Sequence, residues 1–133
     1  MAPRPGLAVV CDDDPVIRRI IGSILQGAGF DQIVEAALAT DLLQMLPMLR
    51  PELVVLDVAL PGMSGIEALP VVIERAPGAL VIVVSAFDSL DEAVLRAGAT
   101  AIVPKYELDR LEQVLTSLGV PNRRPTPPSA EPT

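Results

Sequence analysis

The chain contains no histidine. That absence removes imidazole acid–base catalysis, His-ligated zinc and any phosphohistidine carried by the protein itself. Tryptophan is also missing and aromatic residues make up only 2% of the sequence, so stacking surfaces for bases or sugars are not expected. The single cysteine, Cys11, allows no internal disulfide, and at the end of an apolar run it reads as a small buried residue rather than a redox thiol. Positive charge is scarce: 10 Lys and Arg stand against 17 Asp and Glu, a net charge of −7. Long-range field therefore disfavours nucleic acid and anionic membrane as partners. No stretch approaches the roughly 20 apolar residues of a membrane span. The opening Met1-Ala2-Pro3-Arg4-Pro5-Gly6 lacks the plan of a signal peptide. A cytoplasmic protein is the expectation, with one folded domain, since domains commonly run to about 100–150 residues.

Against these absences, half of the chain is hydrophobic, enough for one core covered on both sides. Short apolar runs at residues 7–11, 32–36, 53–57, 80–84 and 100–103 alternate with helical patterns. Such alternation reads as an α/β fold with a parallel sheet. Four of the runs are nearly continuous in apolar character, as strands buried on both faces should be. Ile33-Val34-Glu35-Ala36 is weaker and suits an edge. Asp14-Pro15 starts the first helix, an acidic N-cap with proline in the first helical position. Val16, Ile17, Ile20, Ile21, Ile24 and Leu25 form its apolar stripe, and Gly27 and Gly29 end it. Thr40 is placed to cap a second helix carrying Leu42, Leu43 and Leu46, which Pro47 should kink or shorten. Further helices are expected over residues 65–76, 88–97 and 107–118. The domain should span residues 1–119. Residues 120–133 read as a disordered Pro-rich tail, with five prolines among the last thirteen residues and no apolar periodicity.

Two apolar runs end in acids. Leu53-Val54-Val55-Leu56 delivers Asp57, and Leu7-Ala8-Val9-Val10-Cys11 delivers Asp12, Asp13 and Asp14. Buried strands do not favour carboxylates, because an isolated buried charge is costly unless paired or metal-bound. In an open α/β sheet the carboxyl ends of the strands are where ligands sit, so these acids suggest one site. Two ionised carboxylates about 4 Å apart repel by roughly 4 kcal/mol at an effective dielectric near 20, and something positive must relieve that. Oxygen donors without imidazole or thiolate suit Mg²⁺. Lys105, after Ala101-Ile102-Val103-Pro104, is a second source of charge. Ser85 offers a hydroxyl at the end of the fourth run. Asp14 alone reads as the helix cap.

These residues, in this order and each at a strand end, are what make the chain resemble a receiver domain of a two-component response regulator, single-domain and CheY-like. The likeness covers about residues 7–118. It rests on Val10-Cys11-Asp12-Asp13-Asp14-Pro15, on Leu56-Asp57-Val58-Ala59-Leu60-Pro61-Gly62-Met63-Ser64-Gly65, on Ser85-Ala86, and on Gly98-Ala99 through Lys105. The resemblance implies a flavodoxin-like (βα)5 fold: a five-stranded parallel sheet in strand order 2-1-3-4-5 with helices on both faces. It implies that Asp57 is the nucleophile that becomes an acyl phosphate. It further implies that Asp13, Asp57 and the Ala59 carbonyl bind Mg²⁺ while Asp12 holds its waters. Lys105, the Ser85 hydroxyl and the Ala86 N–H would contact the phosphoryl group. The implied partners are a histidine kinase or phosphotransfer protein in trans, or a small phosphodonor, and a downstream protein target. A stand-alone monomer or weak dimer with no output domain is expected.

The sequence also departs from that family. Tyr106 follows Lys105 where a proline is usual, and Ile102 stands where the family often carries a switch aromatic. The stretch from Ser85 to Lys105 is slightly short. Ala59 and Phe87 flank the site where polar residues often help water attack, so slow autodephosphorylation is expected. These departures keep a second reading open, a non-phosphorylated receiver-like interaction scaffold. A haloacid-dehalogenase-like phosphatase would use an Asp-x-Asp spacing such as Asp12-x-Asp14, but its other motifs are not evident.

Overall fold

The computed structural model describes residues 2–86 and 91–121. Strand and helix alternate through them: β1 (Arg4–Cys11), α1 (Pro15–Ala28), β2 (Gln32–Ala36), α2 (Ala39–Leu49), β3 (Pro51–Asp57), α3 (Gly65–Arg75), β4 (Leu80–Ser85), α4 (Asp91–Arg96), β5 (Ala101–Pro104), a 3-10 segment (Lys105–Arg110) and α5 (Leu111–Leu118). The strands pair in parallel in the order β2-β1-β3-β4-β5.

Period-two alternation sorts the strand side chains into two apolar layers. Val9, Cys11, Val54, Leu56, Val81 and Val83 pack with Leu42, Leu46, Leu69, Val72 and Val94 of α2, α3 and α4. Ala8, Val10, Leu53, Val55, Ile82 and Val84 pack with Ile21, Leu25, Leu111 and Leu115 of α1 and α5. Burial on both faces is why the central strands read as unbroken apolar runs. The parallel α/β sheet read from the sequence, and the flavodoxin-like strand order implied by the resemblance, are those observed. β2, the weak run, lies at an edge, where Glu35 is exposed.

The order of the strands positions the site. From β1 the chain passes outward to β2, then crosses back to place β3 on the other side of β1. The connections diverge there, which opens a crevice at the carboxyl ends of β1 and β3. Asp12 and Asp57 emerge at that crevice.

Local expectations hold at the start of α1, where Asp14 Oδ1 accepts a hydrogen bond from the Val16 amide at 2.9 Å and Pro15 follows. Gly29, with φ of 113°, ends the helix in the left-handed conformation that favours glycine. The buried arc of α1 is narrower than the apolar stripe. Ile21 and Leu25 are buried, whereas Val16 and Ile20 are 57% and 43% exposed. Thr40 does not cap α2; Leu38 holds the N-cap position and offers no side-chain bond. Asp41 in the first turn partly compensates by favouring the positive end of the helix dipole.

Pro47 neither stops α2 nor shortens it, for the helix runs on to Leu49. Proline lacks the N–H that would serve the carbonyl four residues earlier, that of Leu43. Arg75 Nη1, from the end of α3, donates to the Leu43 carbonyl instead at 3.1 Å. The last helix, expected from residue 107, begins at Leu111, because Glu107 leaves helical geometry (φ −131°, ψ 43°) within the 3-10 segment. Of the expected fourth helix, Asp91–Arg96 is helical, and residues 87–90 lie outside the described residues. Val120 packs against the α1 and α5 layer and Pro121 is buried; residues 122–133 of the expected tail lie outside the described residues. Among the described residues no helix is long and apolar enough to cross a membrane.

Candidate functional site

Asp12 and Asp57 are each 1% exposed at the ends of adjacent strands, and Asp13 beside them faces solvent. Carboxylate oxygens of the three lie within 4.8 Å of one another. Lys105, just past the end of β5, reaches back over the sheet edge. Its Nζ donates to Asp57 Oδ2 at 3.0 Å and lies 3.2 Å from Asp12 Oδ2. Backbone bonds hold the acids in place. The Asp12 amide donates to the Ala36 carbonyl of β2 at 3.1 Å, and Asp12 Oδ1 accepts from the Asp14 amide at 2.9 Å. Past Asp57, the Val58 amide continues the ladder to the Val84 carbonyl at 3.2 Å, and the Ala59 amide donates to Asp57 Oδ1 at 3.1 Å.

Gly65 explains how α3 can start so close to the end of β3. Its amide donates to the Val58 carbonyl at 2.9 Å, and a β-carbon there would collide with the Asp57 carbonyl oxygen. Ser64 and Glu67 form a reciprocal capping box at the same turn. The Pro61-Gly62-Met63-Ser64-Gly65 run thus turns the chain from the end of β3 directly into α3.

Electrostatics at the site are uneven. Burial pushes the Asp12 carboxyl above the usual carboxylate range; the Asp14 amide opposes this, the charge of Asp57 adds to it, and Lys105 opposes it. For Lys105, burial works against the ammonium, but the hydrogen bond and charge of Asp57, with the charge of Asp12, outweigh it and hold the pKa above the ordinary lysine value. Burial, with the nearby charges of Asp12 and Asp57, pushes the Cys11 thiol up to about 12. A thiol so raised is a poor nucleophile, in keeping with Cys11 as a core residue. Asp12 Oδ2 is buried and accepts no hydrogen bond, its contact with Lys105 being ionic without hydrogen-bond geometry. One ammonium therefore serves two buried carboxylates and leaves an oxygen unsatisfied. An all-oxygen donor set with that deficit fits a hard divalent cation.

Comparison with known proteins agrees with this geometry. The family model for the response regulator receiver domain matches residues 8–116. The chain is a response regulator receiver domain. It is 27% identical to the chemotaxis protein CheY of Listeria monocytogenes over 110 residues, covering 80% of this chain and 92% of that protein. It is 33% identical over 102 residues to a protein-glutamate methylesterase/protein-glutamine glutaminase of Hahella chejuensis, covering 73% of this chain but only 29% of that longer protein. Among solved structures, the response regulator domain of Thermotoga maritima CheB superposes with a TM-score of 0.74 at 21% identity, covering 92% of this chain and all of that one. The receiver domain of the histidine kinase CKI1 from Arabidopsis thaliana gives 0.73 at 20% identity, over 84% and 88% of the two chains.

Within the receiver, Asp12, Asp13, Asp57 and Lys105 come together as direct neighbours. Ser85 is 3% exposed at the end of β4, one residue beyond Val84, the register partner of Asp57. It pairs in register with Pro104, which precedes Lys105. Ala86 follows in an exposed bend, and Ala59 is exposed with its amide committed to Asp57. Ile102 packs against the α2 and α3 layer, while Tyr106 is 67% exposed. One residue of the site was not legible in the sequence. Arg18 donates through Nη1 to the Asp12 carbonyl at 2.7 Å and through Nε to Glu35 Oε1 at 2.9 Å. An arginine in the first turn of an amphipathic helix reads as a solvated charge. Only the pairing of β2 beside β1 brings Glu35 to it.

Proposed function

We propose that this receiver domain accepts a phosphoryl group on Asp57 in a Mg²⁺-dependent reaction and signals by binding a protein target in the phosphorylated state. The observation that carries the reading is the Lys105 ammonium held between two buried carboxylates, 3.0 Å from Asp57 and 3.2 Å from Asp12, at the open edge of the sheet. Phosphoryl transfer asks a protein mainly for positioning and for neutralisation of charge on the transferring oxygens. The Asp57 carboxylate attacks phosphorus, the bond from phosphorus to the donor's leaving atom breaks, and an acyl phosphate remains on the aspartate. Lys105 turns from Asp57 to the incoming phosphoryl oxygens, and the Ser85 hydroxyl and the Ala86 amide donate to them. Asp12, Asp13, Asp57 and the Ala59 carbonyl are the groups to hold Mg²⁺, which when bound supplies further positive charge at the same oxygens. The receiver of CKI1, alike in fold, has been crystallised in complex with Mg²⁺ and BeF3−, which supports that assignment.

The chain has no histidine to donate the phosphoryl group, so the donor is a histidine kinase or phosphotransfer protein in trans, or a small phosphodonor. Its likeness to the chemotaxis protein CheY of Listeria, nearly all of whose length it spans, supports a signalling role carried by the receiver itself. It would catalyse only its own phosphorylation and dephosphorylation. Incubation with acetyl phosphate, with and without Mg²⁺, tests the reading by intact mass. One phosphoryl group should be added in the presence of Mg²⁺, and none to Asp57→Asn. Labelling of that variant at another residue would refute the assignment.

Two observations favour a second reading, a scaffold that is never phosphorylated: an aliphatic Ile102, partly buried, packs against the core, and Tyr106, directly after Lys105, is largely exposed. No adduct from acetyl phosphate or from phosphohistidine donors, beside a control receiver that labels, would select it.

A further inference from the structure

We infer that Arg18 is a positioning residue for the divalent cation, fixing the Asp12–Asp13 peptide so that Asp13 meets Asp12 and Asp57. The inference rests on the Mg²⁺ reading above and names a residue to which that reading gives no part. Asp13 is exposed and follows the end of β1, so nothing in the sheet itself sets the direction of its side chain. What sets it is the peptide unit before it. The carbonyl of that unit is the Asp12 oxygen, and Arg18 Nη1 donates to it at 2.7 Å. A charge-assisted bond of that length is stronger than a neutral one.

The guanidinium is in turn aimed from its other side. Nε lies 2.9 Å from Glu35 Oε1, and the arginine side chain is 17% exposed. The Asp12 amide is tied to the Ala36 carbonyl, the residue after Glu35. Thus α1 and β2 together grip both ends of Asp12, and the peptide plane leading into Asp13 cannot rotate freely. Arg18 can do this because its fork of donors serves two acceptors in fixed relative directions; a lysine offers one compact ammonium.

Charge and geometry predict opposite outcomes, which makes the inference testable. A cation beside a cation site repels the metal, so if charge were the whole effect, Arg18→Met would bind Mg²⁺ more tightly and Arg18→Lys would match the parent. If Arg18 positions, both variants bind Mg²⁺ more weakly, by about tenfold, as when groups that orient metal ligands are removed. Calorimetric titration of the metal-free proteins with MgCl2 reads the dissociation constant directly, and thermal melting without metal reports folding separately. Glu35→Ala provides a variant at a half-exposed side chain, 52% accessible, which should also weaken Mg²⁺ binding by freeing the guanidinium. Unchanged or tighter Mg²⁺ binding in folded Arg18→Met, or weakening matched only by a lower melting temperature and absent from Glu35→Ala, would overturn the positioning role. A parent protein that binds no Mg²⁺ at millimolar concentration would instead overturn the cation reading on which it stands.

Discussion

At the scale of single residues, the site is an unbalanced set of charges. Two buried carboxylates share one lysine, and Asp12 Oδ2 lacks a hydrogen bond. A receptive site for a cation is thereby a strained one without it, and pH should expose the strain. The Asp12 carboxyl is raised above the ordinary aspartate value of 3.8, chiefly by burial. The folded protein therefore keeps that proton in a range where the unfolded chain has lost it. Its contribution to stability is complete below about pH 3.8 and is lost as pH rises through the folded value. At neutral pH the metal-free protein should gain about 1–2 kcal/mol from Asp12→Asn, the usual penalty for a buried polar group left unsatisfied. The gain should shrink as pH falls toward 4. Urea unfolding of both proteins in EDTA across that range checks it. An Asp12→Asn protein less stable than the parent at pH 7 would mean that the Lys105 pairing outweighs the burial.

At the scale of elements, most of the fold was legible and the reasons for the exceptions are physical. Strands β1, β3 and β4 carry apolar residues on both faces, so their sequences announce burial without any knowledge of topology. The acids at the ends of β1 and β3 were legible for the same reason, since a carboxylate closing such a run has no structural use. Boundaries failed where tertiary contacts override local preference. Glu107 breaks helical geometry in the turn that follows Lys105, delaying α5 to Leu111. Arg18 escaped because its partner Glu35 lies on a strand whose place beside β1 no local pattern reveals. Pro47 escaped in the opposite sense, since the sequence gives the defect in α2 but not its repair by Arg75 of α3. That repair can be isolated by a double-mutant cycle. Arg75→Met should destabilise by about 1–2 kcal/mol, because it strands the Leu43 carbonyl. In a Pro47→Ala background, where residue 47 regains an N–H for that carbonyl, the same substitution should cost far less. Chemical denaturation of the four proteins gives the coupling energy. Additive effects would show that the arginine matters only for packing α3 on α2.

At the scale of the whole molecule, the acidic excess and the cation site act in the same direction and must be separated. A net charge of −7 disfavours compactness through self-repulsion, so any salt that screens it should raise stability a little. Specific binding to the folded state adds a term that depends on ligand concentration relative to its dissociation constant. At tenfold that constant the gain is about 1.4 kcal/mol, and for a domain of this size the melting temperature should rise by roughly 4–7 °C. MgCl2 should therefore raise the midpoint well beyond NaCl at equal ionic strength. The excess should vanish in Asp13→Asn, whose side chain is exposed and whose loss should leave the two packed layers intact. Thermal melts in the two salts read both effects at once. Equal shifts in MgCl2 and NaCl would reduce the acidic cluster to a screened surface charge. A persistent excess in Asp13→Asn would leave the metal to Asp12 and Asp57 alone, and the grip of Arg18 on the intervening peptide would then have no ligand to aim.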